Sequence, residues 1–331
     1  MFESPLFWPA YIKGDVLYVL DETLVPSKLK YIPVKNVKGA VAVIRDMKTR
    51  AFGQFLVVLN TFLVELMPDA TSGVILSQQA KDLNLIEHLQ DVALQLNNSR
   101  PTFPFAEITA IITGAAQKAS VNGADVRVTV IKTVQGFLAG IRARRLQRVQ
   151  EIADVMKDKD HILTHCNVSG ELAMAASLAA GQGKHLKFFA TETRPYMQGA
   201  KLTVWELQGS KAQVTLVADN AIGSLMADKL INKVIIGSDR SAANGDVANK
   251  VGSYQIAVLA REFGIPLIVL TQPSRGVASG KDLPIELRDP DELLIFNGKK
   301  IFGPKVKGFY PGFDVVPHQL ITKAIAIHAG L

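Results

Sequence analysis

The sequence predicts an α/β chain. A mixed α+β amino-terminal domain covers residues 1–125, and a linker helix with a Rossmann-like, parallel-sheet domain covers 126–331. Three observations carry that expectation. Beyond residue 160, short apolar runs alternate with helical patterns, as right-handed βαβ crossovers require. Before residue 125 helical segments dominate and only one short strand, Val16–Leu20, stands out. Between the two, one unbroken helical pattern runs from about 126 to Asp158.

In chain order, the first part reads as that strand followed by helices over Val37–Arg50, Gly53–Leu66 and Gln79–Leu96. The run Phe52–Met67 is the most hydrophobic of the chain. Gln54, Asn60 and Glu65 interrupt it, so it reads as a buried helix rather than a membrane span. On the linker helix, Val134, Phe137, Leu138, Ile141, Val149 and Ile152 form the apolar stripe, which assigns the basic cluster Arg142, Arg144, Arg145 and Arg148 to a solvated face. Strands are then expected at 162–165, 187–191, 213–218, 233–237, 266–270 and 293–296. Helices are expected from near Glu171, over Ala200–Gln208 and over Val247–Phe263.

Composition narrows the functional class. With 48% hydrophobic residues the chain can bury a large core, and its single cysteine fits a reducing cytoplasm. The start Met1-Phe2-Glu3-Ser4-Pro5 lacks the features of a signal peptide. The sequence holds no cysteine or histidine pair at metal-ligand spacing, no phosphate-binding Gly-x-x-x-x-Gly-Lys run and no Gly-x-Gly-x-x-Gly fingerprint, so chemistry without metal or cofactor is expected. A net charge of +7 suits an anionic metabolite or a nucleic acid. Without aromatic interleaving or a nucleic-acid module, the metabolite is favoured.

Two strand ends carry polar groups. Ile162-Leu163-Thr164 runs into His165-Cys166-Asn167 and the turn Val168-Ser169-Gly170; Lys233-Val234-Ile235-Ile236 runs into Gly237-Ser238-Asp239-Arg240. Side chains just beyond parallel strands face the ligand crevice, and a thiol near a helix N-terminus ionises more readily than a free one. The plain alternatives are an inert core cysteine, a capping aspartate and a solvated Lys250. His165, one position from Cys166, points to the opposite strand face and reads as structural.

These blocks, with Glu192-Thr193-Arg194-Pro195, Gln198-Gly199-Ala200, Leu202-Thr203-Val204-Trp205-Glu206-Leu207 and Ser241 through Lys250, resemble the methylthioribose-1-phosphate isomerases. That family is related to ribose-1,5-bisphosphate isomerases and to regulatory subunits of the translation-initiation guanine-nucleotide exchange factor. The likeness extends to Leu20 through Pro26, Ser99-Arg100-Pro101-Thr102, Pro284-Ile285-Glu286 and Pro311 through Pro317. It implies an aldose–ketose isomerase of methionine salvage, acting on 5-methylthioribose 1-phosphate or another 5-substituted or 5-deoxy ribose 1-phosphate. It also implies a cytoplasmic homodimer without cofactor. The alternative it carries is a non-catalytic, nucleotide-sensing subunit.

Residue by residue, the resemblance assigns catalysis to Cys166 and Asp239, and substrate binding to Arg50, Ala51, Arg100, Gln198, Asn249 and Lys250. For Arg50 and Arg100 the alternative is an interdomain salt bridge. Glu192 and Arg194 are expected to pair and shape their loop. A carboxyl that donates a proton near neutrality needs desolvation, so an apolar, closed pocket is expected around Asp239. Two departures bear on the substrate: Thr49-Arg50-Ala51-Phe52-Gly53 lacks the glycine expected after the arginine, and the turn after Asn167 is one residue longer than in the family, with Ala175-Ala176-Ser177 where glycines are expected.

Overall fold

A computed structural model describes residues 2–67, 78–101, 103–274, 276–296, 298–300, 302–303 and 305–327; Thr102 of the Ser99–Thr102 block lies outside them. The elements in order are β1 (Ala10–Lys13), β2 (Val16–Leu20), β3 (Tyr31–Val34), α1 (Val37–Arg45), α2 (Ala51–Glu65), α3 (Gln78–Ser99), α4 (Phe105–Val121) and α5 (Val126–Val155). Then come β4 (His161–Thr164), α6 (Glu171–Gly181), β5 (Lys187–Thr191), α7 (Val204–Gly209), β6 (Gln213–Val217), α8 (Ile222–Ala227), β7 (Lys233–Gly237), β8 (Arg240–Ser241), β9 (Val247–Lys250), α9 (Ser253–Glu262) and β10 (Leu267–Thr271). The chain ends with α10 (Asp291–Leu294), β11 (Ile295–Phe296), β12 (Lys299–Lys300), β13 (Phe313–Val316) and β14 (Lys323–Ala326).

Two compact units divide the chain, Pro5–Ala143 and Met1–Ser4 with Arg144–Gly330. In the first, the antiparallel sheet β1-β2-β3, helices α1–α4 and the start of α5 share a core that includes Leu17, Ile44, Leu56, Phe62, Leu89, Phe105 and Val130. Helix α2 is the buried helix that its sequence suggests. Its interior polar groups are satisfied along the helix: Asn60 Nδ2 donates to the Leu56 carbonyl at 2.8 Å and Thr61 Oγ1 to that of Val57 at 2.7 Å.

In the second unit, six parallel strands lie in the order β14-β10-β7-β4-β5-β6. The chain enters at β4, adds β5 and β6 on one side, then crosses to add β7, β10 and β14 on the other. The strand order therefore reverses between β4 and β7, where an open parallel sheet leaves a crevice at its carboxyl edge. The inner strands are buried on both faces, as in β10, where all five residues are buried, and their unbroken apolar runs made them legible.

Three expectations are corrected. Val247–Lys250 is a buried strand paired with β13 and β8, and only Ser253–Glu262 is helical. Gly252, at a φ of 105°, separates the two, and Asp314 on β13 accepts the Gly252 and Tyr254 N–H groups at 2.7 and 3.1 Å. Residues 293–296 contribute no strand to the main sheet: the turn at Asp289-Pro290 starts α10, and β11 pairs only with β12. The sixth strand is β14, an edge strand with one buried residue, Ile325, where the sequence predicts no strand.

The arginines of α5 are the third correction. Arg145 and Arg148 are 2% and 5% exposed, and both bind the carboxylate of Glu171, the first residue of α6. Nε of Arg145 lies 2.5 Å from Oε1 and Nε of Arg148 2.7 Å from Oε2; Nη2 of Arg145 donates to the Ser169 carbonyl and Nη1 of Arg148 to that of Thr271. Burial pushes the Glu171 carboxyl up, and the two guanidiniums outweigh it and hold the group below its ordinary value.

Candidate active site

Cys166 follows β4 in the left-handed region at a φ of 63°, costly for a non-glycine residue. Two threonines hold it there. Its N–H donates to Thr193 Oγ1 at 3.0 Å, and its carbonyl accepts from Thr203 Oγ1 at 2.5 Å. Thr193 is itself left-handed and is fixed by Asp219, whose carboxylate accepts the Thr193 and Arg194 N–H groups at 2.7 Å each. Thr203 lies on a π-helical turn, Gly199–Thr203, packed so closely on β5 that a Cβ at Gly199 would fall 1.8 Å from the Thr191 carbonyl oxygen. The sulfur-bearing residue is 8% exposed and held by backbone contacts on both sides.

Asn167 braces the turn that follows. Its Nδ2 donates to Glu206 Oε2 at 2.5 Å and to Thr203 Oγ1 at 3.0 Å, and its Oδ1 accepts the Ser169 N–H at 2.8 Å. Ser169 and Gly170 are both left-handed, and α6 starts at Glu171, as the sequence suggests. His165 faces away from the crevice: its Nε2 lies 2.9 Å from the Val251 carbonyl and its Nδ1 2.7 Å from Thr191 Oγ1. A carbonyl can only accept, so Nε2 carries the proton and the Thr191 hydroxyl donates to Nδ1. Burial lowers the imidazole's proton affinity, and the ring is a neutral brace.

Gly237, the last residue of β7, presses against the turn after Cys166, since a Cβ there would come within 2.9 Å of Val168 Cγ1. Asp239 follows, its N–H donating to the Ala248 carbonyl at 2.9 Å. The two strand ends are thus neighbours. Asp239 is exposed, so the described residues do not form the closed pocket expected around it.

Strand β9 supplies Asn249 and Lys250, both buried. Nδ2 of Asn249 donates to Ser253 Oγ at 2.8 Å. Lys250, 6% exposed, places its ammonium 5.4 Å from the Tyr196 ring centroid and 4.7 Å from that of Phe313. No carboxylate among the described residues pairs with it. Gln198, two residues past Tyr196, has a buried Oε1 without a hydrogen-bond partner. A buried cation answered by ring faces and an unanswered amide oxygen leave room for an anionic, hydroxylated ligand. Arg194 does not pair with Glu192; its guanidinium lies over the Phe296 ring at 5.3 Å.

Three predicted residues belong to the amino-terminal unit. Arg50 precedes α2, its Nε 2.6 Å from Glu22 Oε2, and Ala51 is the first helical residue. Arg100 donates through Nη1 to Gln54 Oε1 at 2.7 Å and stacks over Phe103 at 4.9 Å. Gln54 also donates its N–H to the Arg50 carbonyl, so the first turn of α2 links the two arginines. Gly53, in the first turn of α2, is closely packed: a Cβ there would fall 1.8 Å from Thr49 Oγ1.

Sequence reasoning missed Thr193, Thr203, Asp219, Tyr196, Arg288 and Tyr310. Arg288 bonds Glu286 at 2.7 Å, Glu292 at 2.6 Å and the Tyr196 hydroxyl at 2.6 Å. The Tyr196 hydroxyl donates to Glu292 Oε2 at 2.5 Å. Their partners are up to 96 residues away, which no local pattern announces. The described residues contain no group of three or more His, Cys, Asp or Glu side chains arranged to hold a metal ion, and no helix long and apolar enough to cross a membrane.

Residues 67–327 match the model of the Initiation factor 2 subunit family. The chain is 37% identical over 335 residues to the methylthioribose-1-phosphate isomerase of Desulforudis audaxviator (strain MP104C), covering 95% of this chain and 91% of that one. It is 34% identical over 336 residues to the 5-deoxyribose 1-phosphate isomerase of Moorella thermoacetica, covering 97% and 92%. The crystal structure of 5-methylthioribose 1-phosphate isomerase from Pyrococcus horikoshii OT3 aligns at a TM-score of 0.84 with 27% identity, over 99% of this chain and 94% of that one. That of the translation initiation factor eIF-2B, subunit delta, from A. fulgidus aligns at 0.81 with 28% identity, over 97% and 94%.

Proposed function

The chain belongs to the Initiation factor 2 subunit family, and we propose that it is an aldose–ketose isomerase that converts 5-methylthioribose 1-phosphate, or a 5-deoxy or otherwise 5-substituted ribose 1-phosphate, into the 1-phosphoketose. The observation that carries this reading is the contact between the ends of the neighbouring strands β4 and β7, where the strand order reverses: Gly237, two residues before Asp239, packs on Val168, two residues after Cys166. Identity of 37% to a methylthioribose-1-phosphate isomerase over nearly the whole chain supports it.

The chemistry sets the demands. A phosphate on the anomeric oxygen locks the furanose ring, so no free aldehyde forms and the enzyme must open the ring. Overall, one hydrogen leaves C2 and one leaves the C2 hydroxyl; one arrives at C1 and one at the ring oxygen. The C1–ring oxygen bond breaks, a C2 carbonyl forms, and the phosphate stays on C1. Cys166, as thiolate, takes a proton or assists hydrogen transfer between C2 and C1, and Asp239 supplies a proton to the ring or hydroxyl oxygen. Because Asp239 is exposed, the bound sugar itself must desolvate it to raise its proton affinity. Lys250, Asn249 and Gln198 bind the 1-phosphate and neighbouring hydroxyls. Arg50, Ala51 and Arg100 are assigned to substrate binding on the sequence resemblance. The same reading includes a cytoplasmic homodimer and a place in methionine salvage.

Similarity to eIF-2B subunit delta supports a second reading, a non-catalytic subunit. A binding subunit has no chemical need for a strained cysteine and an aspartate after adjacent strands, and turnover separates the two readings. A coupled assay over ribose 1-phosphates that differ only at C5 should show one reaction type throughout. One small apolar group in such a pocket is worth about 1–3 kcal/mol, so preferences of about ten- to two-hundredfold are expected. Absence of turnover with every member would hand the chain to the second reading.

A further inference from the structure

Tyr310 is 3% exposed, and its hydroxyl has no hydrogen-bond partner. A buried phenol left unpaired carries a desolvation cost with nothing to offset it, and such groups are rare away from functional sites. The backbone around it is tied: the Arg288 N–H donates to the Tyr310 carbonyl at 2.9 Å, and the Gly312 N–H to that of Glu286 at 2.8 Å. The Tyr310 ring stands edge-on to Tyr196 with centroids 6.2 Å apart. Tyr196 is the ring whose face meets the Lys250 ammonium, and Gln198, two residues on in sequence, also holds a buried polar atom without a hydrogen-bond partner. The contrast with Tyr196 is instructive, because that hydroxyl is saturated by Arg288 and Glu292.

We propose that the Tyr310 hydroxyl is a further catalytic residue of the site, donating a hydrogen bond to the substrate oxygen on which charge develops as hydrogen moves between C2 and C1. Burial, with Glu292 and Cys166 adding to it, pushes Tyr310 above its ordinary proton affinity, so the group serves as a neutral donor and not as a base. A hydroxyl kept unpaired in the free protein gains its partner only when substrate arrives, which is how a preorganised donor contributes to the transition state. The Gln198 amide oxygen, buried and without a partner, can accept from a sugar hydroxyl, so the two unanswered groups supply a donor and an acceptor of the kind a hydroxylated ring takes.

The inference rests on the isomerase reading, and Tyr310→Phe tests it because the ring stays and only the hydroxyl goes. With 5-methylthioribose 1-phosphate and 5-deoxyribose 1-phosphate as probes, kcat should fall about ten- to a hundredfold on the better substrate, with KM changed by less than about threefold. The variant's Tm should equal or exceed that of wild type, whereas Tyr196→Phe, which breaks a saturated network, should lower it. A Tyr310→Phe kcat within about threefold of an active wild type overturns the inference and leaves the isomerase reading standing. A lowered Tm for Tyr310→Phe, or a loss confined to KM, also overturns it, by making the hydroxyl a structural or ground-state contact. A wild type that converts neither probe overturns both readings.

Discussion

Cys166 is positioned by its backbone. Thr193 and Thr203 hold its N–H and carbonyl while Asp219 and Asn167 fix the turns on either side, so the strained φ is set by partners that do not depend on the thiol. Cys166→Ala should therefore fold nearly as wild type does and lose at least about a hundredfold in turnover, the usual minimum for a positioned acid/base group. Asp239→Asn should do the same, and its exposure makes a folding defect still less expected. Turnover of either variant within a few-fold of wild type would remove the pair from catalysis. Their places just after β4 and β7 were legible because each follows an apolar run that reads as a buried parallel strand. Their supports were not, since a threonine on one loop holding a backbone group of another leaves no mark in local sequence.

At the scale of elements, two termini couple the site to the fold. Helix α6 begins with Glu171 clamped by Arg145 and Arg148, and the same Arg145 holds the Ser169 carbonyl in the turn beyond Cys166. Neutralising the carboxylate removes the charge that both buried guanidiniums bind, so Glu171→Gln should cost about 3–5 kcal/mol in urea unfolding. The folded carboxyl titrates below its ordinary value. Its contribution is therefore complete above the unfolded pKa and is lost as pH falls through the lowered folded one. Wild type should lose this stability in acid below the usual carboxylate range, and the glutamine variant should lack that component. Asp314 works with the opposite sign. Burial raises it to about 6, and the Tyr254 and Gly252 N–H groups offset that only in part. The folded state then holds a proton that the unfolded state has released, so this contribution weakens as pH rises from about 4 to about 6. Asp314→Asn should flatten that segment of the stability profile, and an unchanged slope would contradict the assignment. The helical reading of 247–263 failed here for a physical reason. Val247–Lys250 fits a helical period, and pairing with Phe313–Val316 outweighed it.

For the whole molecule, the proposed homodimer predicts a mass near twice 35.9 kDa by light scattering at micromolar concentration, and a mass near one chain would contradict it. By itself the sequence determined the alternating α/β plan, five of the six strands of the parallel sheet, the buried α2 and the family. Each of these follows from apolar periodicity or contiguous motifs, which are properties of neighbours along the chain. Only the tertiary structure decided that Lys323–Ala326 closes the sheet edge, that Val247–Lys250 is a strand, and that Arg145 and Arg148 are buried around Glu171. It alone left the Tyr310 hydroxyl and the Gln198 amide oxygen unanswered and Asp239 exposed. An edge strand needs one buried side chain, a buried charge needs a partner that can come from anywhere, and an unsatisfied group is defined by what surrounds it. None of these is written in adjacent residues.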